Sequence, residues 1–219
     1  MRRLIVLRPE PGASETVARA RRRGLKALAI PLFAIEPLDW TVPTGEFDGL
    51  LLTSANAVRE AGAALHALRR LPVYAVGEQT AVAARGAGLS VAATGEAGVA
   101  GLLASLGSDL RLLHLSGEDR TETAGAAQRI TAVPVYRSKA CEPVDLGQAI
   151  GNVVLVHSTR AGRRLDELLD ERASIAIAAL SGAAAAAAGV GWEQVEIAER
   201  PSDAALLALA ARLCNKTAA

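Results

Sequence analysis

Short, unbroken apolar runs alternate along this chain with longer stretches rich in alanine and polar residues. Unbroken apolar runs are typical of strands covered on both faces of a parallel sheet, and the stretches between them are long enough for crossover helices. The pattern therefore predicts an α/β protein. Its predicted strands are 4–7, 27–30, 49–52, 73–76, 110–115, 153–156 and 174–178.

Two of the predicted helices have distinctive sequences. Ser14 is predicted to be the N-cap of the first helix, because its short polar side chain can accept a hydrogen bond from a free backbone N–H group. Gly24 is predicted to end that helix in the left-handed conformation. The six consecutive alanines at 183–188 predict a buried helix packed closely against a sheet, in preference to a low-complexity segment.

The apolar runs form an imperfect internal repeat. Residues 50–54 reappear at 154–158, which is 104 positions later, and the same offset holds without a gap over the segments that follow. At this offset, 50–54 match 154–158, 75–77 match 179–181, and 102–103 match 206–207. A second pair of units, at other offsets, matches 4–9 with 112–117 and 29–33 with 132–136. The chain therefore contains two copies of one unit.

The repeat predicts two lobes. Its period is far longer than the roughly 20 to 50 residues of a solenoid repeat, so each copy is expected to have its own core. The copies are circularly shifted, which is simplest if residues 1–35 fold with 139–219 as a discontinuous lobe and 36–138 are inserted as the other. We expect two similar parallel-sheet, flavodoxin-like lobes with a cleft between them, joined by two chain crossings, at 32–38 and 135–142, that can act as a hinge.

Composition narrows the classes of function. The formal net charge of +1 gives no indication of a nucleic-acid or membrane partner. Two cysteines lack a CxxC partner, three histidines lack metal spacing, and neither a GxGxxG nor a phosphate-loop motif is present. We therefore expect no metal and no cofactor. Met1-Arg2-Arg3 leads directly into a predicted strand instead of a signal-peptide hydrophobic region, which favours a cytoplasmic protein.

Small polar residues follow most of the predicted strands. In an open parallel sheet these turns lie at the carboxyl edge, where ligands bind, and each turn leads into a helix whose free N–H groups attract anions. Tight turn geometry requires the same small residues, so both interpretations stay open. Ser54 and Ser158 are not in a GxSxG elbow, and their matched positions in the repeat favour a structural or anion-binding role over a nucleophilic one.

Six segments of the chain, in order and with their spacing, resemble the uroporphyrinogen-III synthases. These are LRP at 7–9, FDGLLLTSANAV at 47–58, VGEQTA at 76–81, GEDR at 117–120, VYR at 135–137 and RPSD at 200–203. The resemblance implies a lyase of tetrapyrrole (haem) biosynthesis. Such an enzyme has two α/β lobes joined by a two-stranded connector and holds hydroxymethylbilane in the active-site cleft between them. It inverts ring D of the substrate through a spiro intermediate and closes the macrocycle with loss of water. It uses no metal or organic cofactor.

The resemblance also implies a set of site residues. Tyr136, which matches the family's tyrosine, is the candidate to hydrogen-bond or protonate the departing hydroxyl, or else it only covers the connector. The substrate-binding candidates are Arg8, Pro9, Ser54, Ala55, Asn56, Gly77, Gln79, Thr80, Ser116, Gly117, Arg120, Ser158, Thr159, Ser181, Gly182 and Ala183. Ser181 and Ala184 depart from the family's usual glycine and threonine, and Leu7 from its usual threonine.

The resemblance further implies a monomer that takes hydroxymethylbilane by transient handover from the upstream bilane-forming enzyme. One alternative belongs to another class: a non-catalytic two-lobe sensor or binding protein for an anionic ligand. A sensor would share the fold, the hinge and the turns, but it also needs an output element such as a DNA-reading helix. The two lobes use up the 219 residues, so the sequence favours the enzyme.

Overall fold

The computed structural model describes residues 1–96, 98–119 and 125–215. The chain divides into two compact units. Unit 1 comprises Met1–Ala34 and Ala140–Ala219, and unit 2 comprises Ile35–Lys139. Each unit contains a parallel sheet with helices on its faces, and unit 2 adds one antiparallel strand at the edge of its sheet, so the predicted α/β class with two parallel-sheet units is confirmed.

Strands and helices alternate along most of the chain. The strands are β1 (Leu4–Val6), β2 (Ala27–Ala29), β3 (Phe33–Pro37), β4 (Gly49–Leu52), β5 (Val73–Val76), β6 (Val91–Gly95), β7 (Arg111–Gly117), β8 (Arg129–Ala140), β9 (Val153–Val156), β10 (Ala176–Ala179) and β11 (Gln194–Ile197). The α-helices are α1 (Gly12–Arg22), α2 (Ala55–Glu60), α3 (Glu78–Gly86), α4 (Gly98–Ala104), α5 (Thr159–Leu168), α6 (Gly182–Ala187) and α7 (Asp203–Asn215). Short 3₁₀ helices cover Gly62–Leu68 and Gly147–Ala149.

The sheet of unit 1 has the strand order β2-β1-β9-β10-β11, and its strands are parallel. Counted along the chain within the unit, this is the 2-1-3-4-5 order of flavodoxin-like folds. The strands β1, β9 and β10 are buried along their whole length, because helices cover both faces. Helices α1 and α7 pack on the face that carries Leu4, while α5 and α6 pack on the face that carries Ile5.

Unit 2 repeats this arrangement with its strands reached in a different order along the chain. Its sheet reads β3-β8-β7-β4-β5-β6, so β7 and β8 take the places that β1 and β2 occupy in unit 1. The strands β4, β5 and β6 then match β9, β10 and β11. This correspondence accounts for the circular shift between the two sequence copies.

The strands β3 and β8 are the two crossings of the chain between the units, and they are neighbours in the sheet. The N–H of Leu38 donates to the carbonyl of Val135 at 3.0 Å, and the N–H of Cys141 donates to that of Leu32 at 2.9 Å. The two strands therefore run in opposite directions. They form the two-stranded connector that the sequence predicts.

Several local features differ from the sequence-based expectations. The strands β6 and β11 were not predicted, because they are partly exposed and carry polar residues where the pattern sought unbroken apolar runs. The prediction of Ser14 as an N-cap was wrong. Helix α1 begins at Gly12 after Pro11, and Ser14 lies in its first turn. There the carboxylate of Glu10 accepts hydrogen bonds from the N–H and the hydroxyl of Ser14, at 3.0 and 2.8 Å.

Other local predictions are confirmed. Gly24 has a φ of +77° after the end of α1. The alanine run forms α6, which is buried on one face only: Ala184 and Ala185 pack against the neighbouring helix and the sheet, whereas Ala183 and Ala186 are exposed. A Cβ added to Gly162 on α5 would lie 2.8 Å from the carbonyl oxygen of Ala184. Small residues on both helices therefore allow this close approach.

Candidate functional site

The central strands of unit 1 end side by side, and a site candidate follows each of them. Arg8 follows β1, Ser158 follows β9 and Ser181 follows β10. Because the strands are parallel neighbours, these turns lie at one edge of the sheet. The remaining candidates of this unit are Pro9 in the turn after β1, Thr159 at the start of α5, and Gly182 and Ala183 at the start of α6.

Three candidate serines, the matched pair Ser54 and Ser158 together with Ser181, are N-caps of the helices that follow the strands. The Ser54 hydroxyl accepts from the N–H of Asn56 at 3.2 Å, Ser158 from Ala161 at 3.1 Å, and Ser181 from Ala184 at 3.3 Å. Within the residues that the structure describes, none of the three contacts a histidine or carboxylate that could activate it as a nucleophile. A capping hydroxyl satisfies one of the four free N–H groups, so the first turn keeps donors for an anion.

Gly77 forms the turn between β5 and α3 in a conformation that only glycine adopts easily. Its φ is +80° and its ψ is 146°. The N–H of Gly77 donates to the carbonyl of Gly95 at 2.8 Å, which fixes the turn against β6. An added Cβ would meet nothing within 4 Å, so the surface of the turn is open.

The corresponding turn of unit 1 contains two of the departures from the family pattern, Ser181 and Ala184. Ser181 has an extended backbone with a φ of −152°, so this position does not require glycine. Thr80 is 4% exposed and Ala184 is fully buried, so both of these matched residues face the protein interior. In unit 2, Gln79 is exposed at the start of α3, while Ala55 and Asn56 begin α2.

A register shift shapes the backbone around Tyr136. Gly117 pairs with Tyr136 although its neighbour Ser116 pairs with Pro134, so β8 carries one extra residue, Val135. Such a bulge changes the direction of the following side chain, and both Val135 and Tyr136 pack on the same hydrophobic cluster. An added Cβ on Gly117 would lie 2.9 Å from Cζ of Tyr136. Gly117 therefore leaves the space that the phenol ring occupies.

Two polar groups at this place make no hydrogen bond within the described residues. The Ser116 hydroxyl is 1% exposed and has no partner there. The half-buried Tyr136 phenol also has no protein partner in the part of the chain that the structure describes. The last candidate of this unit, Arg120, lies outside the described residues.

A polar cluster in unit 1 was not predicted from the sequence. The Asp203 carboxylate, at the start of α7, accepts hydrogen bonds from Arg19 at 2.7 Å and Thr16 at 3.1 Å. His157 Nε2 lies 3.3 Å from Asp203 Oδ1, and Arg8 Nη1 lies 3.7 Å from the same oxygen. The only sequence signal for this cluster is the RPSD segment, which ends in Asp203.

Burial and hydrogen bonding set the charges in this cluster. Burial by itself would raise the pKa of Asp203, but hydrogen bonds from His157 and Arg19 outweigh it and hold that pKa well below its ordinary value. Burial lowers the pKa of His157, and the Asp203 hydrogen bond only partly opposes this effect. At neutral pH, Asp203 is therefore anionic and His157 is neutral.

No group of three or more potential metal ligands occurs among residues 1–96, 98–119 and 125–215. Over the same ranges, no helix combines the length and the apolar character needed to cross a membrane. The fold and the turns define a class: an α/β protein of two flavodoxin-like units whose central strands end in turns that lead into helix N-termini.

Comparisons with known proteins identify the family. The family model described as uroporphyrinogen-III synthase HemD matches residues 14–208. This chain belongs to that family, whose lyases cyclise hydroxymethylbilane to uroporphyrinogen III with inversion of ring D and loss of water. The membership favours the enzyme over the non-catalytic binding protein.

Solved structures agree on the fold. A uroporphyrinogen-III synthetase from Helicobacter pylori matches with a TM-score of 0.70 and 18% identity, over 97% of this chain and 100% of that one. A mutant uroporphyrinogen III synthase from the extremely thermophilic bacterium Thermus thermophilus matches with a TM-score of 0.56 and 18% identity, over 99% and 100%. Comparison with curated proteins finds no match.

Proposed function

We propose that this chain carries out its family's reaction by holding the carboxylates of hydroxymethylbilane through the strand-end turns, and that it has no activated nucleophile. The observation that carries this proposal is the use of Ser54, Ser158 and Ser181 as helix caps. Each hydroxyl accepts from a backbone N–H and, among the described residues, none is hydrogen-bonded to a base, whereas each helix start keeps further donors. Hydroxymethylbilane carries eight carboxylates, so many weak donors suit it better than one strong cation.

The chemistry requires control of conformation more than strong acids or bases. Electrons of the terminal pyrrole expel the hydroxyl, which leaves as water once it is protonated, and the carbon left behind is attacked intramolecularly. Holding the two ends of one molecule in reacting geometry can be worth up to about 7 to 11 kcal/mol. Recognition by dispersed turns supplies that geometry without a concentrated catalytic cluster.

Tyr136 is proposed to orient or partly protonate the departing hydroxyl. Its ring occupies the space beside Gly117, and the bulge in β8 sets the direction of its side chain. Its phenol makes no hydrogen bond to another described residue, so it keeps a donor for a ligand. General acid assistance is commonly worth about 10²- to 10⁴-fold, and we expect the low end or less because the pyrrole electrons drive the departure.

The proposal includes the localisation of the enzyme, its oligomeric state and the source of its substrate. We expect a cytoplasmic monomer that receives hydroxymethylbilane by transient handover from the upstream bilane-forming enzyme, because the free substrate closes spontaneously to the type I isomer. The separate core of each unit is compatible with a monomer. Binding of the substrate between the two units stays a prediction from the sequence.

The experiment is to incubate purified protein with enzymatically generated hydroxymethylbilane and to separate the oxidised porphyrin isomers. The proposal predicts mainly the type III isomer, in a proportion that rises with protein concentration. A mixture that matches the protein-free blank at every concentration would contradict it. Boiled protein serves as the control for non-specific effects.

A further inference from the structure

The guanidinium of Arg8 lies in a seat formed by two other elements of unit 1. On one side is the Asp203 carboxylate at the start of α7, 3.7 Å from Nη1. On the other side is the first turn of α1, where an added Cβ on Gly12 would lie 2.6 Å from Arg8 Nε. Gly12 has a φ outside the left-handed region, so backbone conformation does not require glycine there, but an added side chain would force the guanidinium to shift.

Asp203 is itself held in place by neighbours. Arg19 Nε donates to its Oδ2 at 2.7 Å, and the Thr16 hydroxyl donates to its Oδ1 at 3.1 Å. Arg8 Nη1 also lies 3.4 Å from the same Thr16 hydroxyl. With the Asp203 side chain 15% exposed, this network fixes the carboxylate before any ligand binds.

The seat of Arg8 lies where proteins with this type of sheet bind their ligands. Arg8 follows β1, and β1 lies between β2 and β9 in the sheet. The chain goes from β1 to its neighbour on one side, β2, and later continues at its neighbour on the other side, β9. This is the topological switch point of a 2-1-3-4-5 sheet, where open α/β sheets bind ligands. The Arg8 side chain remains 25% exposed at this edge, so part of it faces outward.

We infer that Asp203 and Gly12 are positioning residues that hold the Arg8 guanidinium ready for a carboxylate of the substrate. The inference rests on the proposed function, because it assigns the substrate to this edge of unit 1. An arginine that is already ordered loses less conformational freedom when it binds, and its planar fork suits a carboxylate. The seat thus improves substrate binding more than the chemical step.

Kinetics of folded variants test this inference. Asp203→Asn is expected to raise KM for type III formation about 5- to 20-fold with little change in kcat, because it removes binding that the ground state and the transition state share. Asp203→Glu is expected to restore part of the loss. Gly12→Ala is expected to raise KM because it displaces the guanidinium, whereas Gly86→Ala, whose added Cβ meets nothing within 4 Å, is the matched control without effect.

A double-mutant cycle separates positioning from a merely structural role. In an Arg8→Ala background, Asp203→Asn should add no further increase in KM, because the side chain that it positions is absent. An additive increase, or KM values for Asp203→Asn and Gly12→Ala equal to that of the unchanged protein, would overturn the inference. If Asp203→Asn does not fold, the same cycle is run with Gly12→Ala: its increase in KM should be absent in the Arg8→Ala background, and an additive increase would overturn the inference.

The same assays separate this inference from the proposed function. If the unchanged protein forms no type III isomer, the proposed function fails. If it forms type III and all seat variants retain its KM, the function stands and the inference about Arg8 fails.

Discussion

Replacing Gly77 by valine tests whether the turn after β5 contacts the substrate. The native φ of +80° and ψ of 146° lie in a region that residues other than glycine rarely occupy. Holding another residue there costs about 1–3 kcal/mol, and a β-branched residue belongs at the upper end of that range. Since an added Cβ meets nothing within 4 Å, no steric clash with the protein adds to this strain.

We expect Gly77→Val to fold, because about 3 kcal/mol is smaller than the ~5–15 kcal/mol stability of an ordinary domain. We expect kcat/KM to fall by about tenfold or more, which corresponds to ~1.4 kcal/mol. Two causes add: relief of the strain shifts the N–H groups at the start of α3, and the valine fills the open face of the turn. Urea unfolding gives the stability, and initial rates of type III formation give kcat/KM.

The matched control is Gly24→Val. Gly24 also has a positive φ of +77° and an open Cβ direction, but it follows the C-terminus of α1, away from the strand-end turns. It should lose similar stability and keep its kcat/KM. If folded Gly77→Val also keeps the kcat/KM of the unchanged protein, the turn does not contact the substrate and our reasoning is refuted.

The remaining predictions concern hydroxyls and one carboxylate. Ser54→Ala and Ser158→Ala should each cost ~1 kcal/mol of stability, measured by urea unfolding, because each removes a helix cap. In initial rates, each should cost no more than ~1 kcal/mol in kcat/KM, and near-total loss of turnover in both folded variants would indicate a nucleophile. Tyr136→Phe should keep the fold and the type III product with lower turnover at saturating substrate, and unchanged turnover would remove Tyr136 from the mechanism. The Asp48 carboxylate accepts three hydrogen bonds from Arg111, at 2.8, 2.9 and 3.1 Å, and these lower its pKa from 3.8 to about 2. A lowered native pKa stabilises the fold above pH 3.8 and this stability is lost as the pH falls toward about 2. Asp48→Asn should therefore be less stable at pH 7 and should show a flatter pH dependence of the free energy of unfolding in that window; an unchanged slope would contradict this.

The fold class could be predicted because the apolar runs mark strands that helices cover on both faces, and the repeat shows that the same series of strands occurs twice. Strands buried on both faces must be apolar throughout, so β4 and β9 lie where the pattern put them. Strand β5 also lies there, although Tyr74 and Val76 on one of its faces are only half-buried. The partly exposed strands β6 and β11 gave no such signal, since half of their pleated surface accepts polar residues. The start of α1 was missed because its acceptor is a glutamate side chain that precedes the helix.

The candidate site was predictable to the extent that it depends on parallel strands. Residues that directly follow neighbouring strands must meet at one edge, and this placed Arg8, Ser158 and Ser181 together in unit 1. The seat of Arg8 was not predictable. It joins positions 8 and 12 to position 203, which no periodicity connects, and the glycine that makes room for the guanidinium looks in the sequence like any helix-start glycine.

The central claim is that the substrate is held by many turn contacts and that no single hydroxyl is essential. Its most direct test is the isomer composition formed from hydroxymethylbilane by the triple variant Ser54→Ala/Ser158→Ala/Tyr136→Phe, with folding verified by urea unfolding. Protein must be present at a concentration that outpaces spontaneous closure. The account predicts slower turnover with type III still the main product, whereas a folded triple variant that yields only the type I isomer of the blank would contradict it.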